Sequence, residues 1–280
     1  LCGLVMPPLE ETRQMRAGRA RGLVSSRVSG RRVHAHQVPP PPELAGTVAC
    51  LWVGRWDLPP DAPHVSEMLG DPSVHLCFEQ ATPVQALSHR VVGVWTRLWT
   101  RTLAGQGHVH AAKLRPGAAG AFVENASVLR NAVVDLRTVC SEGADHPDLL
   151  SGEDERSWAA ISALLVRWQR VTDETALAVA ACGHVADDPT LLRVEHLARR
   201  MGLSPRSVQR LFRRHVGAPP KAIIRRYRLQ EVAVRLERGL ATDLTELAYD
   251  LGYADHAHLT RDFKAAVGKP PGAFVADVHR

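Results

Sequence analysis

The stretch L-G-Y-A-D-H-A-H-L-T-R-D-F-K-A-A-V-G-K-P-P-G-A-F, Leu251 to Phe274, decides how this chain is read. Gly252 marks a turn and Asp255 an N-cap. A helix follows with Leu259, Phe263 and Val267 on one face and His256, Thr260, Arg261 and Lys264 off it. Gly268 and a proline pair close it. A helix held by its apolar side and offered by a basic one is suited to a groove, and the DNA major groove is the natural candidate.

An earlier stretch repeats this grammar. Leu197 to Pro220 reads L-A-R-R-M-G-L-S-P-R-S-V-Q-R-L-F-R-R-H-V-G-A-P-P, and Leu247 to Pro271 reads L-A-Y-D-L-G-Y-A-D-H-A-H-L-T-R-D-F-K-A-A-V-G-K-P-P. Each has L-A-x-x-[ML]-G, a polar cap, a [VL]-x-R-x-F core and V-G-x-P-P, with starts about fifty residues apart. Each unit is therefore expected to be helix, glycine turn, helix, the helix-turn-helix arrangement. Ala198 and Ala248 are small where two helices cross, and Gly202 and Gly252 stand where the turn needs positive φ.

The second unit resembles the signature of AraC/XylS-type transcription regulators, G-Y-x-D-x-x-H-L-x-R-x-F-K-x-x-x-G-x-x-P. It is carried here by Gly252, Tyr253, Asp255, His258, Leu259, Arg261, Phe263, Lys264, Gly268 and Pro271. The resemblance covers roughly Ala176 to Val278. Val275 departs from it, because the family usually has arginine after the aromatic that is Phe274 here. That weakens one expected capping or phosphate contact and leaves the fold intact. The resemblance implies two units joined by a long helix, Lys221 to Arg238, that place their second helices in successive major-groove segments of promoter DNA. It implies a cytoplasmic bacterial regulator, an activator or a repressor, with RNA polymerase as a further partner. A small-molecule effector and a homodimer are the other partners it admits, with no cofactor.

The chemistry of the side chains agrees. On the first recognition helix Val208, Leu211 and Phe212 form the buried stripe, leaving Arg206, Ser207, Gln209, Arg210 and Arg213 for DNA. Arg holds guanine O6/N7 and Gln adenine N6/N7. His256, Ala257, His258, Thr260 and Arg261 are the counterparts on the second helix, with His258 also a candidate brace for its own helix. Lys221, Arg225, Arg226 and Lys264 are assigned to the DNA backbone. Each arginine has a phosphate contact or plain solvation as its competing reading.

Bulk charge supports the division. Thr190–Arg280 holds 17 Lys/Arg against 9 Asp/Glu, and Leu1–Pro189 holds 18 against 20. The net positive charge thus sits in the last third, as a polyanion partner requires. Five scattered cysteines, with no C-x-x-C, fit a reducing compartment and signal no zinc knuckle. No run reaches membrane-spanning length.

The expected fold class is α+β: an antiparallel β sandwich or barrel followed by the helical reader. Residues 1–38, with seven arginines between Arg13 and Arg32, read as a flexible basic tail. Residues 39–150 read as a sensor or dimerisation domain. Its expected strands are Thr47–Trp56, Val74–Glu79, Ser88–Val94, Arg97–Leu103, His108–Leu114 and Val128–Leu136. It resembles the cupin-like β domain that precedes the reader in some regulators, on Pro40–Leu51, Trp52 and Lys113–Phe122. Residues 151–172 read as a connecting helix, with Ser151 and Asp154 as a capping box. Residues 173–280 are the reader, its units at about 194–216 and 243–267. A fragment starting near Thr172 is expected to keep DNA binding, on the ground that the units have their own core.

His108-x-His110 puts two imidazoles on one strand face, but no third ligand is fixed, so no metal is assigned. The rival reading is an Ada-like repair enzyme. It needs a reactive thiol and a four-cysteine zinc site, and neither motif is present. Phosphate-cradling, nucleophile-elbow and dinucleotide motifs are absent too, so no enzyme and no catalytic residue is assigned.

Overall fold

The computed structural model describes residues 33–59, 61–68, 72–82, 88–140, 146–240 and 243–278. An antiparallel sheet region comes first. β1 (Val33–Val38), β2 (Val48–Asp57), β4 (His75–Thr82), β5 (Ser88–Val92), β7 (Gln106–Leu114) and β8 (Val133–Asp135) form one sheet in the order β1-β2-β7-β4-β5-β8. β3 (His64–Met68) pairs with β6 (Trp99–Leu103) as a separate two-stranded sheet. Alternation sorts the large sheet into two faces. Leu51, Leu76, Phe78, Val91 and Leu114 belong to one buried cluster. Trp56, Cys77, Val92, Val109 and Ala111 belong to another.

Three expectations need correction here. Val33–Val38, assigned to the tail, is an edge strand with six rungs from Val33↔Trp56 to Val38↔Leu51. V-H-A-H-Q-V carries little apolar signal because an edge strand buries little; the rest of the tail assignment, 1–32, lies outside the described residues. Of Val128–Leu136 only Val133–Asp135 forms a strand. A 3₁₀ turn, Ala126–Leu129, precedes it, held by the Asn125 side chain accepting from the Ser127 amide at 3.1 Å. Ser151 is no capping box: α1 (Asp154–Trp168) starts after Glu153, and the Ser151 hydroxyl accepts from the Glu153 amide at 3.2 Å. Asp154 instead bonds the Arg55 guanidinium and His110 Nε2, the latter at 2.8 Å.

Helices follow: α2 (Asp173–Asp187), α3 (Val194–Arg200), α4 (Pro205–Leu211), α5 (Pro220–Glu237), α6 (Leu244–Asp250), α7 (His256–Val267) and α8 (Pro271–Val278). α4 is prolonged by a π-helical turn, Phe212–Val216. α1 packs on the sheet, with Ile161 and Leu165 fully buried and Trp168 edge-on to Phe122 at 5.3 Å. Its apolar stripe is thus spent on its own domain.

The core continues past α1. Ala178, Leu197, Val208, Phe212 and Ile223 join the same cluster as Leu76 and Phe78. Fully burying a side chain the size of Leu or Phe contributes about 1.5–3 kcal/mol, so this continuity matters. The junction is tight. Gly117 has φ +94°, and a Cβ there would sit 2.5 Å from the Ala178 carbonyl oxygen. Gly120 lies against the His215 ring. His215 is buried at 2% exposure, with Nε2 3.3 Å from a Glu174 oxygen and Nδ1 3.5 Å from the Thr175 hydroxyl. The second unit has a separate core of Leu229, Leu236, Leu247, Leu259, Phe263 and Phe274. The expectation that each unit has its own core therefore holds for the second and fails for the first.

Two predictions follow from this junction. A fragment starting at Thr172 should keep exchange-protected amides in α6 and α7 and lose them in α2 and α4, by hydrogen exchange. Equal protection in both units would refute the shared core. The second concerns pH. Desolvation holds the imidazoles of His215, His110 and His108 below the ordinary 6.5. Above that value neither state is protonated. Below it the unfolded chain takes up protons first, so stability falls with pH until the native imidazoles also protonate. The urea midpoint should be lower at about pH 5.5 than at about pH 7.5, and His215→Gln should flatten the difference. A midpoint unchanged between the two would contradict it.

Candidate nucleic-acid interface

Both turns are built alike. After α3, Gly202 has φ +65°, and the Leu203 amide donates to the Ala198 carbonyl at 2.9 Å. After α6, Gly252 has φ +70°, and the Tyr253 amide donates to the Ala248 carbonyl at 2.8 Å. Ala198 and Ala248 are buried at the crossings. Each second helix is capped by a side chain: the Ser204 hydroxyl accepts from the Ser207 amide at 3.1 Å, and Asp255 accepts from the His258 amide at 2.6 Å. Such caps contribute about 1 kcal/mol each and fix where the helix starts.

The buried stripes fall where the spacing put them. Val208, Phe212, Leu259, Phe263 and Val267 are fully or almost fully buried. Arg206, Gln209, Arg210 and Arg213 are exposed on α4 and its π turn, and Ser207 is half-buried with its hydroxyl 2.9 Å from that of Ser204. On α7 His256, Ala257, His258 and Arg261 are exposed and Thr260 is half-buried. His258 also lies edge-on to Tyr253 at 5.3 Å, so it braces the turn while remaining exposed. Lys221 and Lys264 are exposed at the starts of α5 and the last turn of α7.

Pairing separates the arginines by job. Arg200 pairs with Asp188, Arg214 with Glu174, and Arg235 with Glu231 and Asp250. Among the described residues Arg206, Arg210 and Arg213 have no carboxylate partner, so α4 presents uncompensated cations. Two backbone assignments change. Arg226 is 4% exposed and directs its guanidinium at the Arg97 carbonyl, 3.4 Å away in the β region. It is a buried strut, out of reach of DNA. Arg225 donates from Nε and Nη2 to the two oxygens of Asp262 at 2.9 and 3.0 Å, a bidentate pair that ties α5 to α7. It holds the second recognition helix, with about a third of its side chain exposed.

One positioning residue escaped the sequence reading. Arg228 lies over the Tyr253 ring at 4.6 Å and donates to the Leu251 and Gly252 carbonyls, each at 3.3 Å. It clamps the second turn from α5. R-x-x-R along a linker helix gives no sign of a partner twenty-four residues on, so only the fold reveals it. From the β region, Leu98 packs against the second core and touches Gly268.

Comparisons with known proteins agree with this geometry. Residues 197–277 match a family described as a helix-turn-helix domain, and residues 36–135 match a domain of unknown function (DUF6597). The chain is 32% identical over 82 residues to the XylDLEGF operon transcriptional activator of Pseudomonas putida, covering 29% of this chain and 26% of that protein. It is 36% identical over 77 residues to the HTH-type transcriptional regulator GlxA of Rhizobium meliloti, 28% of this chain and 24% of that one. The chain thus spans about a quarter of the length of these curated relatives. ToxT of Vibrio cholerae O395 aligns over 88% of this chain and 97% of its own, at 9% identity and TM-score 0.38, a likeness too loose to bear on function.

Lys221→Ala and Arg226→Ala should separate cleanly. Arg226→Ala should cost about 1–3 kcal/mol in urea unfolding, because a buried acceptor loses its donor, with DNA affinity of the folded protein retained. Lys221→Ala should leave the urea midpoint in place and weaken DNA binding on all sequences alike. The reverse pattern would return Arg226 to the DNA face. With its turns, caps and crossings in place, the segment 197–277 is a helix-turn-helix domain.

Proposed function

We propose that this protein is a sequence-specific, DNA-binding transcriptional regulator of the AraC type. It reads successive major-groove segments with α4 and α7. One observation carries the proposal: a duplicated helix-turn-helix whose second helices bury their apolar stripes and turn unpaired basic side chains outward. Arg206, Gln209 and Arg210 read base edges on the first segment, with Ser207 and Arg213 beside them. His256, Ala257, His258, Thr260 and Arg261 do so on the second. Lys221 and Lys264 hold phosphates.

Promoter DNA is the principal partner, and RNA polymerase and a second copy of the chain are the others. The β region senses a small effector. The setting is the cytoplasm; no described helix is long and apolar enough to cross a membrane. The Ada-like alternative needs an activated thiol, and neither Cys77 nor Cys182 supplies one. Burial pushes the Cys77 thiol up to about 11 and the Cys182 thiol up to about 12, the opposite of an activated nucleophile.

Selection of bound DNA from a random pool at fixed salt should return one sequence with two segments and a steep salt dependence. Arg210→Ala should then relax the preference at one base position and weaken binding by about 1–3 kcal/mol. An equal loss on all sequences would make Arg210 a phosphate contact. Recovery of no preferred sequence would sink the regulator.

A further inference from the structure

The second face of the large sheet carries an ion cluster that the DNA-reading function does not use. Glu79 on β4 is 2% exposed, opposite Val109 of β7. Arg90 comes from β5, across from Cys77, and Arg101 from β6 of the small sheet. Both guanidiniums donate through Nη2 to the same Glu79 oxygen, Oε2. The Arg101 guanidinium also lies 5.4 Å from the Trp56 ring centre.

The cluster is incomplete in two respects. Its charges do not balance among the described residues: two guanidiniums pair with one carboxylate. Its polar atoms are not all satisfied either. Glu79 Oε1 and Arg90 Nε are shut off from solvent and have no hydrogen-bond partner among the described residues. A buried charge or donor without a partner is costly, so native proteins rarely leave one. Burial, and then the neighbouring Arg90 charge, depress the Arg101 guanidinium, while Glu79 opposes them.

The unmatched groups define what the cluster would accept. Arg90 Nε–H needs an acceptor, the surplus charge needs an anion, and Glu79 Oε1 needs a donor. A single molecule with a carboxylate and a neighbouring hydroxyl supplies all three. The walls favour a compact body: Trp56, Leu103 and Val109 are buried around the cluster, and Trp95 and Trp99 pack against it. The side chains of Arg90 and Arg101 are 22% and 17% exposed, so the rim where they meet solvent is the way in.

We propose that the Arg90–Glu79–Arg101 cluster is a binding site for a small hydroxy-carboxylate, and that this anion is the effector sensed by the β region. The proposal rests on the regulator reading and adds the site and the ligand class to it. A purely structural ion triad is the opposing account.

The test titrates the full-length protein with lactate, glycerate and malate at constant ionic strength, following tryptophan fluorescence and heat. Propionate, which lacks the hydroxyl, and lactamide, which lacks the charge, are the comparisons. Lactate should bind saturably, with propionate and lactamide weaker by roughly tenfold or more, the usual worth of a charge-assisted hydrogen bond, and glycerate and malate rank its tolerance of a larger body. Arg90→Gln leaves Glu79 paired with Arg101 and should weaken binding similarly. No saturable response to lactate, equal affinity for lactate and propionate, or unchanged affinity in a folded Arg90→Gln protein would each overturn the proposal. The lactate–propionate comparison stands even if the variant does not fold. Binding to the pool-selected DNA is measured in parallel: specific DNA binding without an anion response refutes this site alone, and an anion response without specific DNA binding refutes the regulator alone.

Discussion

The close approach of Gly117 and Gly120 to α2 and His215 is the contact on which the rest of the structure depends. Any side chain at Gly117 would collide with the Ala178 carbonyl, so the segment after β7 lies flat against the first helix-turn-helix unit. Phe212 and Val208, which orient the first recognition helix, are buried in the cluster that contains Phe78 and Leu76 of the sheet. Protein interiors are close-packed and transmit displacement. The first reader helix is thus anchored in a core that it shares with the β region.

The second unit obeys the same local grammar in a different setting. Its core closes around Phe263, Leu259 and Leu247 with the far half of α5. It is tied to the linker helix by the Arg225–Asp262 pair and by Arg228 on the second turn, Leu192 packs against Gly252, and Arg226 of the linker reaches the loop at Arg97. Leu98 from that same loop touches the second core. The β region therefore meets the reader at two places, a broad apolar one on the first unit and a narrow one on the linker and second unit.

How much of this was legible before the fold was known follows the range of each interaction. Caps, glycine turns and apolar stripes act within a dozen residues, and Ser204, Asp255, Gly202, Gly252, Phe212 and Phe263 all stand as the pattern required. Arg226 was misassigned because its helix position says which way it points and not what lies there. A carbonyl from residue 97 does. Val33–Val38 was missed because an edge strand needs little hydrophobicity, and Ser151 because a capping pattern is satisfied by several local geometries. The Arg90–Glu79–Arg101 cluster joins three strands of two sheets, a pairing no spacing announces. The recognition side chains were placed by resemblance and spacing; the fold adds that those on α4 are exposed and unpaired.

Native-state hydrogen exchange on the full chain addresses the shared core most directly. If the sheet and the first unit are one cooperative body, the slowest amides of α2 and α4 should exchange through the same opening as those of β2 and β7, with the same free energy and denaturant dependence. The amides of α6 and α7 should open separately, at lower free energy. Opening of α2 and α4 together with α6 and α7, while the sheet stays closed, would contradict the account.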